Sequence, residues 1–149
     1  MFDRLVKEVM DIKKVLSLSP ETTVTKAAEQ MAIKKTGAVM VVEQERLIGI
    51  FTERDVLVRV IAGGLDPHIT RLREVMTADP KTVSPNMSYG SALLIMQDNG
   101  FRHTPVVENG ILVGIVGSRN AMDPELEEFA SEASRREHFR NAANKNFLD

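Results

Sequence analysis

The stretch LIGIFTERD, residues 47–55, carries an apolar run onto a hydroxyl at Thr52 and sets a carboxylate three residues later, at Asp55. Where a helix begins, two such side chains at that spacing have two uses. They can satisfy each other's backbone amides as a capping box. They can also hold a sugar and a phosphate: a carboxylate accepts from two adjacent hydroxyls, and the free amides and positive dipole end of the helix suit an anion. The pair Arg102-His103 is a second concentration of gripping chemistry, because a guanidinium offers a planar fork to oxyanions and the histidine enters an apolar run. Taken alone, His103 reads as a structural histidine; beside Arg102 it reads as a ligand contact.

Covalent chemistry is a poor match. The sequence has no GxxxxGK[ST] loop, no GxSxG elbow and no cysteine. Glu53-Arg54-Asp55 imitates an acid pair, but neighbours at a helix start point apart rather than converge. The other histidines, His68 and His138, show no ligand spacing. No catalytic residue and no metal site is expected. Met31 and Met96 fall in matched helical stripes and read as core.

At 149 residues the chain makes one domain or two very small ones. A hydrophobic content of 43% with 27% charged residues is that of a soluble globular protein. The net charge of −2 lacks the basic footprint of a nucleic-acid binder. Without cysteine there can be no disulfide, which fits a reducing compartment. No apolar run reaches the roughly 18–20 residues that span a membrane, and MFDRLVKEVM alternates charge with apolar residues, unlike a signal peptide. The expectation is a cytoplasmic protein with no nucleic-acid or membrane partner.

The elements that must position these side chains occur twice. Sliding the sequence by 65 positions brings Ser19-Pro20 onto Ser84-Pro85, Val41-Val42-Glu43 onto Val106-Val107-Glu108, and Gly49 onto Gly114. Residues 17–56 and 82–121 share eleven identities without a gap, where chance gives about two or three. Each copy begins with a short extended piece (15–17 and 82–84). A helix capped by Thr23 or Ser88 follows. Its apolar positions (Val24, Ala27, Ala28, Met31; Tyr89, Ala92, Leu93, Met96) lie at i, i+3, i+4, i+7. Two hairpins are predicted, 38–43 with 46–52 and 103–108 with 111–117, the second carrying the Asn-Gly turn signal. A closing helix runs over 53–62 and stops at Gly63-Gly64; its counterpart begins near Arg119. The fold class is therefore α+β, β-α-β-β-α twice, with repeats over 1–66 and 67–122. A helical tail over 123–149 is opened by Asp123-Pro124-Glu125 and striped by Leu126, Phe129, Ala130 and Ala133. A unit of about 60 residues buries too little surface to be secure alone, so two copies sharing a core, with equivalent clefts between them, are expected.

Over residues 7–121 the chain resembles a tandem pair of cystathionine-β-synthase (CBS) domains, a Bateman module. The resemblance rests on REVMTADPKTVSP (73–85), FRHTPVVENG (101–110) and the paired GIFTERD and GIVGSRN; the tail is similar to the helical extension of small stand-alone bacterial members. It implies an adenine-nucleotide site in which Asp55 takes the ribose and Thr52, with Arg54 beside it, the phosphate. Arg102 and His103, with Pro105, would complete the phosphate side across the cleft. The backbone at Lys81 and Thr82 would line the adenine. It also implies a homodimer, braced by the tail.

The copies depart from the family pattern in opposite places. Gly117 and Asn120 stand where the first copy has Thr52 and Asp55, though Ser118 lies one residue along; Gly37 and Ala38 stand where the second has Arg102 and His103. Built crosswise, one pocket keeps every element. The other, with Leu16, Gly37, Ala38, Ser118 and Asn120, is expected to be weak, empty or repurposed. The leading expectation is a non-catalytic sensor of AMP, ADP, ATP or an NAD-like dinucleotide that signals to a partner protein. The alternative is a structural dimerisation or adaptor module with vestigial pockets. A sensor of S-adenosylmethionine ranks lower, because a sulfonium is a poor neighbour for Arg102 and His103.

Overall fold

The duplicated pattern folds as two copies of one layered unit whose hairpins meet back to back. The computed structural model describes residues 2–120; the expected tail helix lies outside them. In chain order the elements are α1 (Val6–Val9), β1 (Ser17–Leu18), α2 (Val24–Lys34), β2 (Ala38–Glu43), β3 (Arg46–Thr52), α3 (Glu53–Asp55), α4 (Leu72–Val75), β4 (Thr77–Ala78), α5 (Tyr89–Asn99), β5 (His103–Glu108) and β6 (Ile111–Gly117). After α3 the backbone continues as a π-helix, Val56–Ile61, where the sequence predicts ordinary α-helix.

Local chemistry accounts for most boundaries. The Thr23 hydroxyl accepts from the Lys26 amide at 3.3 Å, and the Ser88 hydroxyl from the Ser91 amide at 3.2 Å. Both long helices end on a left-handed residue, Lys35 and Gly100. Both hairpin turns have two residues of positive φ, Gln44-Glu45 (51°, 67°) and Asn109-Gly110 (52°, 82°). That is the turn whose twist matches the flanking strands. The first copy achieves it without glycine or asparagine.

The strands form one sheet in the order β1-β2-β3-β6-β5, with β4 added to β3. β3 and β6 pair as strands only at Arg46 and Ile111. Alternation then divides each strand between two cores. Val39, Val41 and Phe51 face α2 of their own repeat. Ala38, Met40 and Ile50 face the other repeat, meeting Ile115 and Leu112 in a central cluster. Because both faces are buried, these strands read as near-continuous apolar runs.

The packing units differ from the sequence units, because the segments leading into each repeat are exchanged. Val6 of α1 lies in the second core, with Tyr89, Met96 and Val106. Leu72 and Val75 of α4 lie in the first, with Val24, Met31 and Phe51. Their backbones repeat the same bonds: the Leu72 and Arg73 amides donate to Thr22 and Pro20 carbonyls, as those of Val6 and Lys7 do to Met87 and Pro85. This exchange explains the glycine around which the duplication aligns. A Cβ on Gly49 would collide with Met76 Sδ and stand 3.1 Å from the Thr77 carbonyl. One on Gly114 would stand 2.9 Å from Met10 Sδ and 3.2 Å from the Asp11 carbonyl.

Candidate functional site

The end of β3 and the start of α3 place Thr52 and Asp55 in direct contact. Asp55 Oδ2 accepts from the Thr52 amide at 2.9 Å and from its hydroxyl at 3.1 Å; the same hydroxyl faces the Asp55 amide at 3.3 Å. The capping box is therefore formed. It uses one carboxylate oxygen. The other, Oδ1, forms an ion pair with Arg59 Nε at 3.4 Å, and the Asp55 side chain is 16% exposed. Arg54 is exposed beside it.

The second repeat uses the same place differently. Asn120 Oδ1 accepts from the Gly117 amide at 2.7 Å, and its Nδ2 donates to the Val9 carbonyl at 2.8 Å. Both ends of that amide are engaged. Pairing across each hairpin gives a steric reason for the opposite departures of the two copies. Ala38 opposes Thr52, and His103 opposes Gly117. A Cβ on Gly117 would stand 3.0 Å from both His103 Cδ2 and Asn120 Oδ1. The glycine makes room for the imidazole.

Arg102 and His103 are anchored to their own repeat by the Ser118 amide, which donates to the Arg102 carbonyl at 3.0 Å; the Glu53 amide makes the matching bond to Gly37. Across the divide, the Glu53 carboxylate of the first repeat acts on His103. Burial pushes the imidazole below its ordinary value; Glu53 pulls it back up, and Arg119 and Arg102 add to the fall. Of the first repeat's candidates, Glu53 is thus the one whose charge is felt at His103.

The remaining candidates are dispersed. Lys81 and Thr82 are exposed, and Thr82 borders a cleft of about 310 Å³ with Arg46, Leu47, Ile48, Pro80 and Val107. That cleft is near the opposite end of β3 from Thr52. Its link to His103 runs along β5, since the Val83 amide donates to the carbonyl of buried Pro105. Leu16 turns into the first core, and Ala38 into the central cluster, so neither side chain is free for a ligand. A second cleft, about 440 Å³, lies outside the divide between Ala28, Met31, Lys35, Gly37, Glu53 and Val56. Among the described residues no group of His, Asp and Glu could hold a metal, and no helix is long and apolar enough to cross a membrane.

Sequence reasoning passed over Glu53 as a partner for His103 and overlooked Arg59. The signal for Arg59 was available: an acid and a base four apart on one helix face. For Glu53 there was none, because its relation to His103 exists only across the divide.

The CBS domain family model matches residues 6–62 and 72–123. CBS domain-containing protein YhcV of Bacillus subtilis is 39% identical over 111 residues, 74% of this chain and 78% of YhcV. CBS domain-containing protein CBSCBSPB2 of Arabidopsis thaliana is 37% identical over 115 residues, 76% of this chain, which spans only 21% of that longer protein. Among solved structures, the CBS domain protein PAE2072 from Pyrobaculum aerophilum, complexed with AMP, superposes with a TM-score of 0.73 at 25% identity, covering 86% of this chain and 99% of that one. With two matched segments, folded as two repeats that pack on a shared central cluster, the chain belongs to the CBS domain family as a tandem pair.

Proposed function

We propose that the chain is a non-catalytic regulatory module that binds an adenine nucleotide between its repeats and passes occupancy to a partner protein in the cytoplasm. The observation that carries this reading is the Thr52–Asp55 pair at the start of α3, a hydroxyl and a carboxylate held together with one carboxylate oxygen outside the capping box. A ribose would take Asp55 at Oδ1, which the capping box leaves open. Phosphate would lie toward the Thr52 hydroxyl, Arg54, Arg102 and His103. The AMP held by PAE2072 supports a nucleotide as the ligand class. The pocket built from Gly37, Ala38, Ser118 and Asn120 is the weaker one, since the Asn120 amide is occupied.

Calorimetry with AMP, ADP, ATP and NAD tests the reading. Asp55→Ala should weaken the preferred nucleotide about tenfold or more, the loss of a charge-assisted hydrogen bond, and Asn120→Ala should change it less than about twofold. Equal losses would refute the asymmetry. No binding by any nucleotide would leave the adaptor reading. A specific observation favours a self-association role alongside sensing: Leu57, Val58 and Ile61 on the π-helix are 64%, 54% and 58% exposed, an apolar row suited to a second copy of this chain. Sedimentation of Leu57→Glu against the parent chain checks this; an unchanged mass would exclude that row from the homodimer contact.

A further inference from the structure

Arg59 touches both the candidate sugar-binding carboxylate and the segment joining the two repeats. Its Nε faces Asp55 Oδ1 at 3.4 Å. Its Nη1 donates to the Val75 and Met76 carbonyls, both at 3.1 Å, and its Nη2 to Thr77 Oγ1 at 3.4 Å. The segment it grips ends α4 in the first core, then pairs as β4 with Gly49 and Ile50 of β3. It continues through Asp79, whose amide donates to the Ile48 carbonyl, to Lys81 and Thr82 in the lead-in of the second repeat.

The second repeat shows what this arrangement replaces. There Asn120 reaches Val9, in the segment exchanged the other way, with its own amide nitrogen at 2.8 Å. A carboxylate has no donor and cannot make that bond. Asp55 therefore reaches its crossing segment only through a cation, and Arg59 supplies it. One tether is a single side chain; the other is a two-part joint whose outer half ends on the oxygen a sugar would use.

We infer that Arg59 is a positioning residue that holds Asp55 for a cis-diol and transmits occupancy of that carboxylate to the inter-repeat segment 75–79. The inference rests on the proposed nucleotide site. A hydroxyl donating to Oδ1 competes with Nε for the same lone pairs, so the guanidinium is shared differently between Asp55 and the two carbonyls once ligand is bound. The segment that feels the change is the one that leads on to Lys81 and Thr82.

The test uses the full chain with AMP, reading affinity by calorimetry and hydrogen exchange at the amides of residues 76–79. In the parent chain AMP should alter exchange there by about threefold or more. In Arg59→Gln that response should disappear and AMP should bind about tenfold more weakly. Arg59→Lys separates the two roles, because a single ammonium that faces Asp55 has no second nitrogen with which to reach the Val75 and Met76 carbonyls at the same time. It should recover most of the affinity and none of the exchange response. If Arg59→Gln binds and responds like the parent, or if Lys restores both properties, the coupling is wrong while the nucleotide site stands. If the parent binds no nucleotide, or Asp55→Ala binds as well as the parent, the site itself fails and the coupling falls with it.

Discussion

Replacing Thr104 by valine should stabilise this protein, although it removes a polar group from a strand that carries a candidate ligand contact. Thr104 is fully buried, and its hydroxyl has no hydrogen-bond partner among the described residues. On β5 it shares a face with Val106, which packs in the second core, while His103 and Pro105 share the other. The duplication supplies the natural control, because the matching residue of the first repeat is Val39, also fully buried. A buried hydroxyl left unpaired costs about 1–3 kcal/mol, and valine fills nearly the same volume with a methyl group. With some allowance for imperfect packing, Thr104→Val should gain about 1–2 kcal/mol, since shape is preserved and only the desolvation penalty is removed. For a chain of this size that is a melting-temperature rise of about 2–6 °C. In urea it is a midpoint shift of about 0.5–1 M with an unchanged slope. Nucleotide affinity should stay within about twofold, because the substituted side chain faces away from the crevice. A lower midpoint would mean that the hydroxyl has a partner and that the second core is built around it, which would refute the reasoning.

Further outcomes follow from the same contacts. Gly49→Ala should destabilise the fold by about 1–3 kcal/mol, because the new methyl meets Met76 and the Thr77 carbonyl; urea unfolding reads this directly. Gly117→Thr, which copies the residue of the first repeat, should push the His103 ring from its seat and weaken nucleotide binding about tenfold, as calorimetry would show. The folded-state pKa of His103 lies below its ordinary value of 6.5, so the empty protein holds fewer protons than the unfolded chain between those two values. Its stability contribution is complete above 6.5 and is lost as pH falls through the lower, folded value; unfolding midpoints of the parent should therefore decline more steeply on acidification than those of His103→Gln. A bound phosphate favours the imidazolium, so nucleotide affinity should rise as pH falls from about 7.5 toward 6, with proton uptake. Titration in buffers of different ionisation enthalpy measures that uptake.

Most local elements were legible in the sequence because their causes are local; the lead-in strands expected at 15–17 and 82–84 are instead Ser17–Leu18 and a single bridge at Val83. Strand limits at 38–43, 46–52, 103–108 and 111–117 coincide with those observed, set by apolar runs between turn residues. Thr23 and Ser88 cap the helices for which their hydroxyls were named. The duplication and the Thr52–Asp55 pair could likewise be read, since each depends on residues close in the chain.

Three things required the tertiary structure. α1 and α4 pack in each other's repeats, and nothing in their composition marks this, because an apolar face is satisfied by either of two nearly identical cores. The opposite departures at Thr52/Gly117 and Ala38/His103 read in sequence as losses that fall in one crosswise pocket; strand register shows that the two positions also oppose each other within each hairpin. Arg59 and Glu53 acquire their relations to the inter-repeat segment and to His103 only once the halves dock. Sequence determined which backbone shapes form, through torsional preference and apolar period. Docking alone decided which charges share a crevice, because electrostatic partnership depends on distance in space, and a duplicated chain leaves two solutions open until its halves meet.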